Sequence, residues 1–145
     1  MRKLIENKDY NGIRQALSDN PDLANEGIPY DHMNTTKAHP LHRICDSVFT
    51  GKISDEEGVE IARIFLEFGA KINGNTLTEK QDSPLIAASS LHADKVAILY
   101  IENGADINHA GTHGGTALHW AAAVSWLCAV TSVPPPRGQN SASRK

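Results

Sequence analysis

Apolar residues recur at spacings of three and four in two runs of the chain: Val59, Ile61, Ala62, Ile64, Phe65 and Leu66, then Val96, Ala97, Leu99, Tyr100 and Ile101. That period places each set on one face of an amphipathic helix. Both runs lead into the same word, Phe68-Gly69-Ala70-Lys71-Ile72-Asn73 and Asn103-Gly104-Ala105-Asp106-Ile107-Asn108, whose glycine suits a left-handed helix stop. Two helices with matching ends are a repeat signal. Upstream, Asp9 is placed to cap a helix from Tyr10 to about Ser18, with Ile13, Ala16 and Leu17 as its apolar stripe. Asn20-Pro21 should end it, because proline disfavours helical geometry in the residue before it.

A second recurring word opens each unit: His39-Pro40-Leu41-His42, Ser83-Pro84-Leu85-Ile86 and Thr116-Ala117-Leu118-His119. Pro84 and Ala117 are 33 residues apart, and Asn108 divides that interval into 24 and 9; Pro40 and Pro84 are 44 apart. In these words and this spacing the chain resembles the ankyrin repeats, whose period of about 33 residues opens with T-P-L-H-x-A. The resemblance covers residues 39–123 strongly and 1–38 weakly. It implies an all-α fold, a solenoid of helix-turn-helix units with β-hairpin-like finger loops.

Residues 1–38 then form a degenerate N-terminal capping repeat, with Asn20-Pro21-Asp22-Leu23-Ala24-Asn25 in the place of Gly-Ala-Asp-x-Asn, followed by a connecting loop over 27–38. Residues 39–73 form a repeat with an insertion between its helices at 48–58, since Pro40 to Asn73 spans 33 residues where the regular unit takes 24. Ser54 and Glu57 have the spacing of a capping box, so the insertion ends by starting the second helix. Residues 74–108 form a regular repeat behind a finger two residues longer than usual. Residues 109–133 are an incomplete repeat, because Pro134-Pro135-Pro136 fall where the last turn of its second helix belongs. The polar, basic stretch 134–145 is expected to be disordered.

Motif departures weaken particular contacts. His39 and Ser83 replace the opening Thr, Ala117 replaces Pro, and Ile86 replaces the His that the family uses to tie neighbouring repeats. An unfinished solenoid leaves Trp126, Leu127 and Val130 on an outer side with no cap, which predicts self-association, a partner or marginal stability.

Charge and composition narrow the partners. With 14 Lys+Arg against 17 Asp+Glu and a formal net charge of −3, the chain has no electrostatic footprint for nucleic acid or an anionic membrane. The most apolar stretch, Trp120 to Val133, has 14 residues, short of the roughly 20 that span a bilayer. Residues 1–10 lack the apolar core of a secretory signal. Two distant cysteines, Cys45 and Cys128, offer neither a disulfide framework nor a metal knuckle, and a reducing, cytoplasmic setting is the expectation.

Each candidate for chemistry has a plainer reading. His109, His113 and His119 could be written as a metal triad, but Gly111, Gly114 and Gly115 put the first pair in a loop. The resemblance makes His109 and His113 parts of a finger, and gives His42 and His119 the motif histidine's structural role. His39, His42 and Cys45 could be written as a Cys-His nucleophile, yet Cys45 takes the small buried position held by Ser89 and Ala122 in the other units. Asp55-Glu56-Glu57 belongs to a helix start, and the glycines near 111 lack the lysine of a phosphate loop. The expectation is no enzyme, no catalytic residue, no cofactor and no metal ligand.

What the resemblance implies instead is a concave groove, lined by finger tips and first helices, that grips an unidentified protein partner. By register its residues are Glu79, Lys80, Asp82, Ser90 and Leu91 in one unit and Thr112, His113, Ala123 and Val124 in the next. Two other readings stay open: a non-functional or partly folded fragment of a longer ankyrin protein, and a His-based metal-binding protein. Self-association through the incomplete C-terminal end is compatible with the first reading and with the main one.

Overall fold

The computed structural model describes residues 1–75 and 81–132, with side chains only as far as Ser125 in the last helix. Its elements are α1 (Arg2–Glu6), α2 (Tyr10–Asp19), a 3-10 turn (Pro21–Ala24), β1 (Ile28–Pro29), β2 (Lys37–Ala38), α3 (Pro40–Phe49), α4 (Asp55–Glu67), α5 (Pro84–Ser90), α6 (Asp94–Glu102) and α7 (Ala117–Ser132). The described chain is mostly helical, and its one sheet is the antiparallel pair β1–β2 with Ile28 opposite Ala38. No described helix is long and apolar enough to cross a membrane.

Local chemistry explains where the helices begin and end. Asp9 accepts from the Gly12 amide at 2.8 Å, and Ser54 and Glu57 close the capping box at 3.1 and 2.8 Å. Ser83 accepts from the Ile86 amide at 3.3 Å, and proline stands at the first position of both α3 and α5, where no donor is lost. α4 and α6 stop in the same way: Gly69 and Gly104 take φ of +87° and +86°. The following Ala70 and Ala105 amides donate to Phe65 and Tyr100 carbonyls at 2.9 and 3.0 Å.

The helices lie in two rows: α1, α3, α5 and α7 each touch the next, and so do α2, α4 and α6. Between the rows run the fully buried side chains Ile5, Ile13, Leu17, Leu41, Ile44, Ile61, Phe65, Leu85, Val96 and Tyr100. The Tyr100 hydroxyl, buried with them, donates to the Leu41 carbonyl at 2.7 Å. Polar bonds join successive layers along the same direction. Asn25 Oδ1 accepts from the Lys71 amide at 2.7 Å, and Asn73 Oδ1 from the Asp106 amide at 2.8 Å. Asp55 accepts from the Lys95 and Val96 amides at 2.8 and 3.2 Å, which caps α6 from outside, since Ala93 has no side chain to do so.

Four features differ from the sequence expectation. Residues 48–58 are not one inserted loop: α3 has 10 residues against 7 in α5, α4 has 13 against 9 in α6, and the joining turn has 5 against 3, which accounts for all nine. Residues 27–38 form a hairpin and not a plain loop. The short helix α1 was not foreseen. Residues past Ala122 continue α7 to Ser132 without a turn, since no glycine or proline interrupts the run there. The tail 134–145 and the side chains of Trp126, Leu127 and Val130 lie outside the described residues.

Candidate functional site

The surface singled out by the sequence is built on the ends of α5 and α7 and on the turns before them. Asp82, exposed just ahead of α5, accepts from the Thr112 amide at 2.9 Å, and His109 Nε2 donates to the Gln81 carbonyl at 2.6 Å. These bonds strap the 109–115 turn to the preceding connection. Gly111 makes the approach fit, because a Cβ there would meet the Asp82 carboxylate and Ile86 Cδ1. Thr112 and His113 therefore sit exposed on a turn with a fixed base, and the His113 ring stands edge-on to Trp120 at 6.1 Å.

Ser90 and Leu91 are half-buried at the other end of α5, where Ser90 Oγ donates to the Ala87 carbonyl at 3.2 Å. Ala123 is exposed and Val124 half-buried on α7, which packs on α5. The predicted residues thus divide into a joined group, Asp82, Thr112 and His113, and a strip along the two helices. Asp82 is engaged in holding the turn. Glu79 and Lys80 lie outside the described residues.

Sequence reasoning named nothing on the first unit, where the β1–β2 hairpin projects Met33 at 82% exposure. Asp31 organises that tip by accepting from the Met33 and Asn34 amides at 2.7 and 2.6 Å, bonds that hold its carboxyl below the usual range. Arg43 of α3 fastens the hairpin stem. Its Nε donates to the Ile28 carbonyl at 2.9 Å, its terminal nitrogens to the Thr36 carbonyl at 2.6 Å and Asp46 at 2.5 Å, and it lies 5.2 Å over the Tyr30 ring. The signal available in the sequence was Asp31 and Asn34, two turn-forming side chains three residues apart.

The groups weighed for chemistry are occupied elsewhere. The Cys45 thiol is fully buried, donates to the Leu41 carbonyl at 3.2 Å, and is pushed far up by burial. Ser89 makes the same bond to the Leu85 carbonyl at 2.9 Å. His39 Nδ1 accepts from the Leu41 amide at 3.3 Å and Nε2 donates to Asn25 Oδ1 at 3.0 Å, so the ring is neutral, and burial lowers its pKa to about 4. His42 is also lowered, mainly by burial. His109, His113 and His119 do not converge. His119 Nδ1 faces the Thr116 amide and hydroxyl at 3.2 and 2.8 Å, within its own helix start, so it does not make a tie to a neighbouring unit there. Among the described residues no three His, Cys, Asp or Glu side chains gather as a metal site.

No protein-family model matches this chain, and no curated protein matches it either.

Proposed function

We propose that this chain is an ankyrin-repeat interaction module that grips a protein partner in a groove formed by its turns and the helices α3, α5 and α7. Support for the fold half of this reading comes from bonds that recur in register. Cys45 and Ser89 bond the carbonyl four residues back in α3 and α5, and Asn25 and Asn73 each take an amide from the next turn. Cys45 and Ser89 each lie five residues past the opening proline, Pro40 and Pro84, and Asn25 and Asn73 each close the segment that follows a second helix. The incomplete third unit keeps its first helix, α7, and its Asn108.

The functional half is carried by one observation: exposed side chains on turns whose bases are locked. Met33 stands on a hairpin held by Arg43, and Thr112 and His113 on a turn held by Asp82 and His109. A rigid base under a variable tip reduces the ordering cost of binding. The metal reading is not favoured, because its three imidazoles have separate partners.

The test is affinity capture with the wild-type chain and with a Leu91→Glu, His113→Asp variant, followed by a direct titration of any recovered protein. A partner lost by that variant and kept by Glu67→Lys, a change on the opposite row, supports the groove. A partner retained by the groove variant at wild-type affinity overturns it.

A further inference from the structure

We propose that the cavity bordered by α1, the 3-10 turn and the β1–β2 hairpin binds a small organic acid, one carboxylate carried on an apolar body. The cavity adjoins the hairpin that carries Met33 but needs no protein partner, so the inference does not rest on the reading above.

Its volume is about 520 Å³, inside the roughly 300–1,000 Å³ range of small-molecule sites. One wall is apolar: Leu23 from the 3-10 turn, then Ile28 and Pro29 of β1. That wall is fixed, since Ile28 is 4% exposed and belongs to the core. Arg2 and Lys3 line the cavity from α1, which Ile5 anchors in the same core. Lys37 lines it from β2, where it stands opposite Pro29. The Lys37 stem passes over Gly27, where a Cβ would lie 3.0 Å from Lys37 Cβ and 3.7 Å from its Cδ. Gly27 has no positive φ, so a side chain there is opposed by that stem and not by the backbone.

The charges of the lining are unequally engaged. Asp31 is occupied at the hairpin tip, accepting from the Met33 and Asn34 amides at 2.7 and 2.6 Å. Arg2 stands 3.8 Å from a Glu6 oxygen that Lys52 holds more closely, at 2.6 Å. The side chains of Lys3 and Lys37 have no hydrogen bond or ion pair among the described residues. Glu26 is the lining's other carboxylate, exposed and likewise unpaired.

Three permanent cations, with the His32 imidazole beside them, thus face two carboxylates, in a chain whose formal net charge is −3. This local excess of one positive charge suits a single carboxylate. A phosphate monoester, with a charge of about −1.5 to −2 near neutral pH, would overcompensate it. The apolar wall favours an acid with a hydrocarbon body over a bare anion, and the lysine stems extend that wall while their ammonium groups stay at its rim.

The experiment is a nitrogen–proton correlation NMR titration of the full chain, with hexanoate, acetate, hexylamine and inorganic phosphate as probes. Hexanoate should shift the Gly27, Ile28, Asp31 and Lys37 amides along one saturable curve. Acetate, which lacks the hydrocarbon body, should bind about tenfold more weakly. Hexylamine, of opposite charge, should not saturate the same amides. Lys3→Gln with Lys37→Gln should weaken hexanoate about fivefold. Both lysines are exposed, so the rest of the spectrum should be unchanged. Lys95→Gln, exposed on α6, should leave the affinity as it is. Glu26→Gln should strengthen binding, because it removes the free carboxylate of the lining, and it keeps the test intact should the double variant lose its fold. Hexanoate that shifts only other surfaces, or that binds the double variant as tightly as the wild type, overturns the proposal. So does equal binding of hexylamine at these amides, displacement of hexanoate by an equal concentration of phosphate, or an unchanged or weaker affinity for Glu26→Gln.

Discussion

Gly58 tests whether the helix rows are packed to the limit. It stands in the first turns of α4, where Ala would normally stabilise a helix by about 0.5–1 kcal/mol over Gly. Here a Cβ would lie 2.9 Å from Val48 Cγ2, 3.0 Å from Val96 Cγ2 and 3.6 Å from Ile44 Cγ2. Both valines are branched and helical, with one strongly preferred rotamer. Val96 is fully buried, and the two belong to α3 and α6, so two packed helices have to give at once. Overpacking of this kind costs about 1–3 kcal/mol, which exceeds the propensity gain. Gly58→Ala should therefore destabilise by about 1–2 kcal/mol, lowering the thermal midpoint by roughly 3–8 °C for a chain of this size. The assay is a melt by circular dichroism paired with urea unfolding, where the midpoint should fall at constant slope. Adding Val48→Ala should recover part of the loss, so that the double variant costs less than its two parts. A higher midpoint for Gly58→Ala would mean that the interface has slack and propensity alone decides.

Asp55→Ala removes the acceptor of the Lys95 and Val96 amides and should cost about 1–2 kcal/mol as a lost helix cap, seen in the same melt; Glu56→Ala, beside it but exposed, should leave the melt unchanged. Arg43→Lys cannot reach the Ile28 and Thr36 carbonyls together. Faster hydrogen exchange at the Tyr30 and Asp31 amides is expected, and unchanged exchange would show that the hairpin holds without the guanidinium. His39, held neutral with a pKa near 4 against an ordinary 6.5, gives a signed pH dependence. Between those values the unfolded chain binds more protons than the native one, so stability is complete above pH 6.5 and declines as pH falls toward 4. His39→Ser, which keeps a cap acceptor without titrating, should flatten that decline, and equal slopes for the two proteins would refute the neutral ring.

The elements legible in the sequence are those whose signals are local. Ser54 with Glu57, Asp9 with Gly12, and the two Gly-Ala stops each lie within a few residues of what they control, and all appear where the pattern placed them. The small position at Cys45 and Ser89 was legible for the same reason. What the sequence hid depends on distant partners. The β1–β2 hairpin has strands of 2 residues, too short for any period, and is tied down by Arg43 from the next helix. Spacing revealed that nine residues were extra but not that the helices would absorb most of them. At the candidate surface, Thr112 and His113 are exposed as expected. Asp82 is exposed as well, but its bond to Thr112 was not legible, because it exists only through the close approach that Gly111 allows.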